Sequence, residues 1–145
     1  MDKKVAVLLL LHEGYREKVY RCSGGRWTLG IGRNVQDKGI SFPEAIFLLQ
    51  NDILECKTLL QEKYSWFKEL SENRQIVLVD MCFNLGITRL SKFKQTLAAI
   101  ERGEYLLASQ LMLDSKWARQ VGERAKRLST MMRTNAWPED AKQVT

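Results

Sequence analysis

Glu13, Cys22 and Thr28 are the residues whose types and spacing suit chemistry: a carboxylic acid, eight residues, a thiol, five residues, a hydroxyl. An acid that protonates a departing oxygen, a second group on the far side of the reacting carbon, and a hydroxyl that orients water are the parts for hydrolysing a glycosidic bond. The acid must hold its proton at working pH, which partial burial or the local field supplies. The second group is usually a carboxylate. Here it is Cys22, whose thiolate can attack carbon or accept a proton, with Arg21 and Arg26 close in sequence to favour ionisation. The chemistry calls for no metal or cofactor. Each residue also has a plainer reading: Glu13 as a solvated carboxylate at a helix end, Cys22 as an inert turn thiol, Thr28 as an ordinary strand residue. On spacing alone both readings stand.

The elements that would position these side chains can be read around them. The apolar run Val5–Leu11 is too short to span a bilayer, which takes roughly 20 residues, and no small-residue cleavage site follows it. It is expected to be the buried face of a first helix over Lys3–Glu13, ended by Gly14. Ser23-Gly24-Gly25 marks a turn, and Trp27, Leu29 and Ile31 alternate with Thr28, Gly30 and Gly32, so a small antiparallel hairpin is predicted. Folding it back beside the helix end would bring Glu13, Cys22 and Thr28 to one place.

Ser41-Phe42-Pro43-Glu44 is a helix start, with Ser41 as cap and Glu44 completing a capping box. Apolar residues then recur at Phe42, Ile46, Leu49, Ile53, Cys56 and Leu60, predicting one long amphipathic helix to about Lys63. Ser71–Leu85 is apolar almost all round, as the central helix of a bundle would be. Shorter helices are expected over Ser91–Arg102, Glu104–Asp114 and Gly122–Arg133, with a loose tail after Trp137. The expected fold class is α+β: a single domain over 1–145 with a small hairpin-bearing lobe (about 12–62), joined by the long helix to a helical lobe (about 63–137 plus the first helix, 1–11). A cleft is expected between the lobes.

The stretch His12-Glu13-Gly14-Tyr15-Arg16, Val19-Tyr20-Arg21-Cys22 and Trp27-Thr28-Leu29-Gly30-Ile31-Gly32-Arg33-Asn34 resembles the signature of the phage T4-type lysozymes, glycoside hydrolase family 24. That family carries Glu, eight residues, Asp or Cys, five residues, Thr, and both gaps are intact here. Met81-Cys82-Phe83-Asn84-Leu85-Gly86, Ser115-Lys116-Trp117 and Gly122–Arg127 resemble later blocks of the family, so the likeness covers roughly residues 3 to 137. It implies a lysozyme-like fold and a muramidase that cuts the β-1,4 bond between N-acetylmuramic acid and N-acetylglucosamine in peptidoglycan. Glu13 would be general acid, Cys22 nucleophile or base, and Thr28 the positioner. The likeness also implies that Arg124 pairs with Glu13 and that Asn34, Phe83, Asn84 and Thr96 line the sugar groove. Two departures stand out. Cys22 replaces the carboxylate of the best-known members, leaving inversion or retention open, and hydrolysis or transglycosylation with it. Arg33 stands where those members commonly carry His, so a His–carboxylate pair is expected to be absent.

A net charge of +6 points to an anionic partner: nucleic acid, an acidic membrane surface or cell-wall polymer. The basic run Arg119, Arg124, Lys126, Arg127 and Arg133 suits a solvated helix face attracted to wall, since no helix–turn–helix or dimer surface for nucleic acid is evident. Three cysteines without metal or redox spacing argue against a disulfide framework. The expected protein is a monomer without stable membrane insertion, kept in the host cytoplasm until released to act on periplasmic wall. The competing reading is a non-catalytic peptidoglycan-binding module on the same scaffold.

Overall fold

The computed structural model describes residues 1–144. Helix α1 (Asp2–Glu13) leads to strands β1 (Arg16–Arg21), β2 (Trp27–Gly30) and β3 (Arg33–Asn34), a one-turn helix α2 (Val35–Lys38) and the long helix α3 (Phe42–Lys63). A 3-10 turn (Phe67–Glu69) precedes α4 (Glu72–Leu85), α5 (Ile87–Leu90), α6 (Lys94–Glu101), α7 (Tyr105–Leu113), α8 (Lys116–Val121) and α9 (Glu123–Thr134). The chain divides into two compact units, Met1–Leu48 and a second from Leu49 onward, with the boundary inside α3. This is an α+β architecture.

In the first unit the sheet is antiparallel in the order β1-β2-β3. The hairpin turn is closed by Cys22 N–H donating to the Arg26 carbonyl (3.0 Å) and Gly25 N–H to the Cys22 carbonyl (2.8 Å). Gly25 there has φ +77°, open only to a residue without a β-carbon at little cost. Pairing runs Arg21 opposite Trp27, Tyr20 opposite Thr28, then Arg16 opposite Gly30, so three β1 residues face the single Leu29 in a bulge. β3 extends the predicted hairpin: Thr28 pairs with Asn34 and Leu29 with Arg33.

The capping box at α3 forms as its residues dictate: Ser41 N–H donates to Glu44 Oε1 (3.0 Å) and Glu44 N–H to Ser41 Oγ (3.3 Å). Its apolar seam is buried only toward the C-terminal end, at Cys56 and Leu60, whereas Phe42, Leu49 and Ile53 are exposed. The first helix also departs from expectation, since it buries no residue. Val5, Val7, Leu8, Leu9, Leu10 and Leu11 crowd all sides of α1, so no single face collects them.

The second unit holds the core. Leu60, Phe67, Leu78, Met81, Leu90, Ile100, Met112 and Met132 are fully enclosed there, with α4 contributing Val77, Leu78, Met81 and Cys82. Each such side chain stabilises the fold by roughly 1.5–3 kcal/mol relative to exposure. The helix expected over Ser91–Arg102 is α6, starting at Lys94, while α5 and α8 are additional helices, α8 started by Ser115 Oγ accepting from Ala118 N–H (3.1 Å). The tail is not loose as expected: Glu139–Gln143 forms a 3-10 turn, and Arg127 grips the Asp140 carboxylate through Nε (2.9 Å) and a second nitrogen.

Candidate active site

Glu13 closes α1, and Gly14, with φ +71°, stops the helix while donating its N–H to the Leu10 carbonyl. The Glu13 side chain is exposed and lies directly on Gly32. A β-carbon at Gly32 would stand 2.8 Å from the Glu13 carboxyl carbon and would push that side chain aside. Glu13, Gly32 and Asn34 share the wall of a hollow of about 490 Å³, completed by Ala6, Leu9 and Lys38 among others.

Thr28 lies on the central strand and is the one residue of the first unit buried from solvent, at 3% exposure. Its hydroxyl donates to the Arg26 carbonyl at 2.9 Å. That carbonyl also takes the Cys22 N–H, so it fixes the turn and the hydroxyl together. The Cys22 thiol is half-buried and held below its ordinary pKa by hydrogen bonds from the Arg26 amide, then the Thr28 hydroxyl and the Gly24 amide. The hydroxyl has one proton. Serving the thiolate therefore means releasing the Arg26 carbonyl, and Thr28 can turn with the ionisation of Cys22.

Sequence order suggested that the guanidiniums of Arg21 and Arg26 favour the thiolate; the structure shows both engaged elsewhere. Arg21 lies over the Trp27 ring at 4.2 Å and donates to the Gly25 carbonyl, and Arg26 pairs with Asp37 at 3.4 Å. Backbone amides and a hydroxyl hold the thiol down instead.

Asn34 is tied locally, capping α2: its Oδ1 accepts from Asp37 N–H and its Nδ2 donates to Asp37 Oδ2, both at 3.0 Å. Its pairing with Thr28 links the Glu13 hollow to the strand carrying the thiol's partner. Arg33 has its own carboxylate partner, Glu44, at 2.7 Å, and also donates to the Gly39 carbonyl. Beside Arg33, and with Ser41 hydrogen-bonded to it, the Glu44 carboxyl is pulled down to about 2.

In the second unit the predicted glycan contacts fall in separate places. Phe83, half exposed, and Arg124 line an apolar-walled hollow of about 530 Å³ with Ile76, Val79 and Asp80. Arg124 is held by Asp80, Nε to Oδ1 at 2.8 Å, and donates again to the Asp80 carbonyl. Asn84 is exposed, and its Oδ1 accepts from Trp117 Nε1 at 2.8 Å. Thr96, buried, lines a second hollow of about 720 Å³ with Phe93, Trp117 and the cations Arg89, Lys92, Lys94 and Lys116. Asp80 and Gly32 escaped the sequence reading. The lone carboxylate of Asp80 inside the apolar run of α4 was the available signal, whereas nothing local marks Gly32 as a contact of Glu13. Among the described residues no three His, Cys, Asp or Glu side chains stand together as a metal site, and no helix is long and apolar enough to cross a membrane.

The family model for phage lysozyme matches residues 11–136. An endolysin of Acyrthosiphon pisum secondary endosymbiont phage 1 is 31% identical over 123 residues, covering 82% of this chain and 80% of the endolysin. Probable T4-type lysozyme 2 of Dictyostelium discoideum is 25% identical, covering 91% of this chain and 95% of its own. The pre-baseplate central spike protein Gp5 of Enterobacteria phage T4 is 24% identical, with 92% of this chain matching 28% of that protein. The matched segment contains the helix end at Glu13, the turn at Cys22, the buried Thr28 and nearly all of the second unit; the chain belongs to the phage lysozyme family and is a glycoside hydrolase of the lysozyme type.

Proposed function

We propose that the enzyme hydrolyses the β-1,4 bond between N-acetylmuramic acid and N-acetylglucosamine in bacterial peptidoglycan, with Glu13 as general acid, Cys22 as the second catalytic group and Thr28 as its positioner. The observation that carries this reading is the buried Thr28, whose hydroxyl shares the Arg26 carbonyl with the Cys22 N–H, beside a thiol lowered from its ordinary pKa. An inert turn thiol needs neither partner. Glu13, exposed at the rim of its hollow, is covered when a sugar seats there, in position to act on the leaving oxygen.

Cys22 serves in one of two roles. As nucleophile its thiolate attacks the anomeric carbon while Glu13 protonates the leaving oxygen, and water then breaks the carbon–sulfur bond. As base it removes a proton from a water that attacks the carbon directly. Intact mass of the enzyme during turnover separates these, since only the first leaves glycan on Cys22. Asn34, Phe83, Asn84, Thr96 and Arg124 are assigned to glycan contacts. Phe83, half exposed, offers an apolar face to a sugar ring, and the basic lining around Thr96 suits the carboxylates of the wall. The working form is a monomer, without nucleic-acid partner or cofactor, that remains in the host cytoplasm until released to the wall.

The experiment is digestion of purified Gram-negative peptidoglycan by the protein and by Glu13→Gln, with soluble fragments identified by mass. Fragments with reducing N-acetylmuramic acid ends, absent from the variant digest, are expected. Anhydro ends would make the reaction a transglycosylation. Wall bound but uncut by the unaltered protein would replace the enzyme with a glycan-binding module.

A further inference from the structure

The hollow that holds Glu13 also holds a cation that the catalytic reading leaves unused. Lys38, exposed in the last turn of α2, lines the same hollow of about 490 Å³ as Glu13, Gly32 and Asn34. The other polar groups there are already engaged. Arg33 is paired with Glu44 and donates to the Gly39 carbonyl, and Asn34 is bonded to Asp37 through both ends of its amide. Asp37, the carboxylate next to Lys38 in sequence, also takes Arg26. Among the described residues the Lys38 ammonium has neither an ion pair nor a hydrogen bond, with Glu13 or with any other group. Its backbone is nevertheless held, because Asn34 caps one end of α2 and Gly39 N–H closes the other on the Val35 carbonyl. A fixed, uncommitted ammonium beside the acid is open to an anion on the ligand.

The proposed substrate alternates two N-acetylated sugars that differ in one charged feature. N-acetylmuramic acid carries a carboxyl on its lactyl ether, and N-acetylglucosamine carries none. We propose that Lys38 is a specificity-determining residue of the Glu13 hollow, its ammonium binding the carboxylate borne by the muramic unit, on the lactyl ether itself or on the peptide attached there. This rests on the muramidase reading above. Lys38 thereby selects a charged wall glycan over a neutral one of the same backbone, and fixes which sugar of the alternating pair lies beside Glu13. A charge-assisted hydrogen bond of this kind is worth about 10-fold in affinity. Lys38 touches no reacting atom, so the effect falls on KM and hardly on kcat.

The test compares unaltered protein, Lys38→Gln and Lys38→Arg on wall glycan strands bearing peptides, strands freed of peptides by an amidase, and strands with every carboxyl converted to a neutral amide. Expected is a KM about 10-fold higher for Lys38→Gln on charged strands at nearly unchanged kcat, restored by Lys38→Arg and absent on amidated strands. Thermal melts of Lys38→Gln should match the unaltered protein, since the exposed side chain holds nothing in the fold. An effect that persists on peptide-free strands assigns the carboxylate to the lactyl ether, and one confined to peptide-bearing strands assigns it to the peptide. Equal KM for Lys38→Gln and unaltered protein on charged strands would overturn the proposal, as would an equal rise on amidated strands or a loss confined to kcat. If the unaltered protein cuts none of the strands, the muramidase reading itself fails and the assignment of Lys38 fails with it.

Discussion

Glu13 rests on the backbone of Gly32 so closely that a β-carbon there would stand 2.8 Å from its carboxyl carbon. The general acid is thus seated by the absence of a side chain. Gly32→Ala should displace the carboxyl and also strain a residue at φ +67°. Stability should fall by about 1 kcal/mol, and kcat on peptidoglycan by about 100-fold. Thermal melts and turbidity clearing measure both, and unchanged kcat would show that Gly32 does not seat the acid.

The Thr28 hydroxyl, once it turns from the Arg26 carbonyl, is one of the groups that lower the Cys22 thiol. Thr28→Val keeps the shape of this buried site and removes the donor, so the pH midpoint of Cys22 alkylation should move upward. In the unaltered protein that midpoint should lie below a model peptide's. Removing the hydroxyl of a buried residue also costs about 1 kcal/mol. Cys22→Asp should keep or raise activity, since the family pattern accepts either residue; complete loss would favour covalent attack by sulfur.

The Arg33–Glu44 pair gives a pH dependence of definite sign. The folded Glu44 carboxyl, at about 2, lies below its ordinary 4.5, so its contribution is fully present above about 4.5 and is lost as pH falls toward about 2. Glu44→Gln should be less stable than the unaltered protein at pH 7, with the gap closing through that window. Urea melts at pH 7, 4 and 2.5 check it, and a gap independent of pH would assign the effect to the capping box alone.

Asp80 holds Arg124 through a partly exposed ion pair. Asp80→Asn should therefore lower stability by less than about 1 kcal/mol. Freed from its anchor, Arg124 should bind glycan fragments with altered affinity, measurable by calorimetry with chitin oligomers. An affinity identical to that of the unaltered protein would remove Asp80 from the positioning of Arg124.

What was legible in the sequence was local. The Ser41–Glu44 box, the Gly-rich turn and the apolar α4 each form because neighbouring residues dictate them. The spacing of Glu13, Cys22 and Thr28 was legible too, and their resemblance to a family gave it meaning. What depended on contacts distant in the chain was hidden. β3 and α2 are too short for any periodicity, and α2 begins because Asn34 caps it. Arg21 and Arg26 looked like thiolate partners because sequence proximity says nothing of where a long side chain points; one stacks on Trp27 and the other reaches Asp37. The tail looked loose because the reach of Arg127 to Asp140 spans 13 positions.

The bulge in β1 sets where this chain can change length. Three residues already loop out opposite Leu29, between the pairs Arg16–Gly30 and Tyr20–Thr28. A residue gained or lost among Glu17, Lys18 and Val19 alters that loop and leaves the register of Tyr20 and Arg21, and hence the seat of Cys22, in place. The same change between Cys22 and Thr28 has no slack to consume, because Cys22, Gly25 and Arg26 are tied to one another across the turn. Length variation on one side of the thiol is therefore silent, and on the other it separates sulfur from hydroxyl.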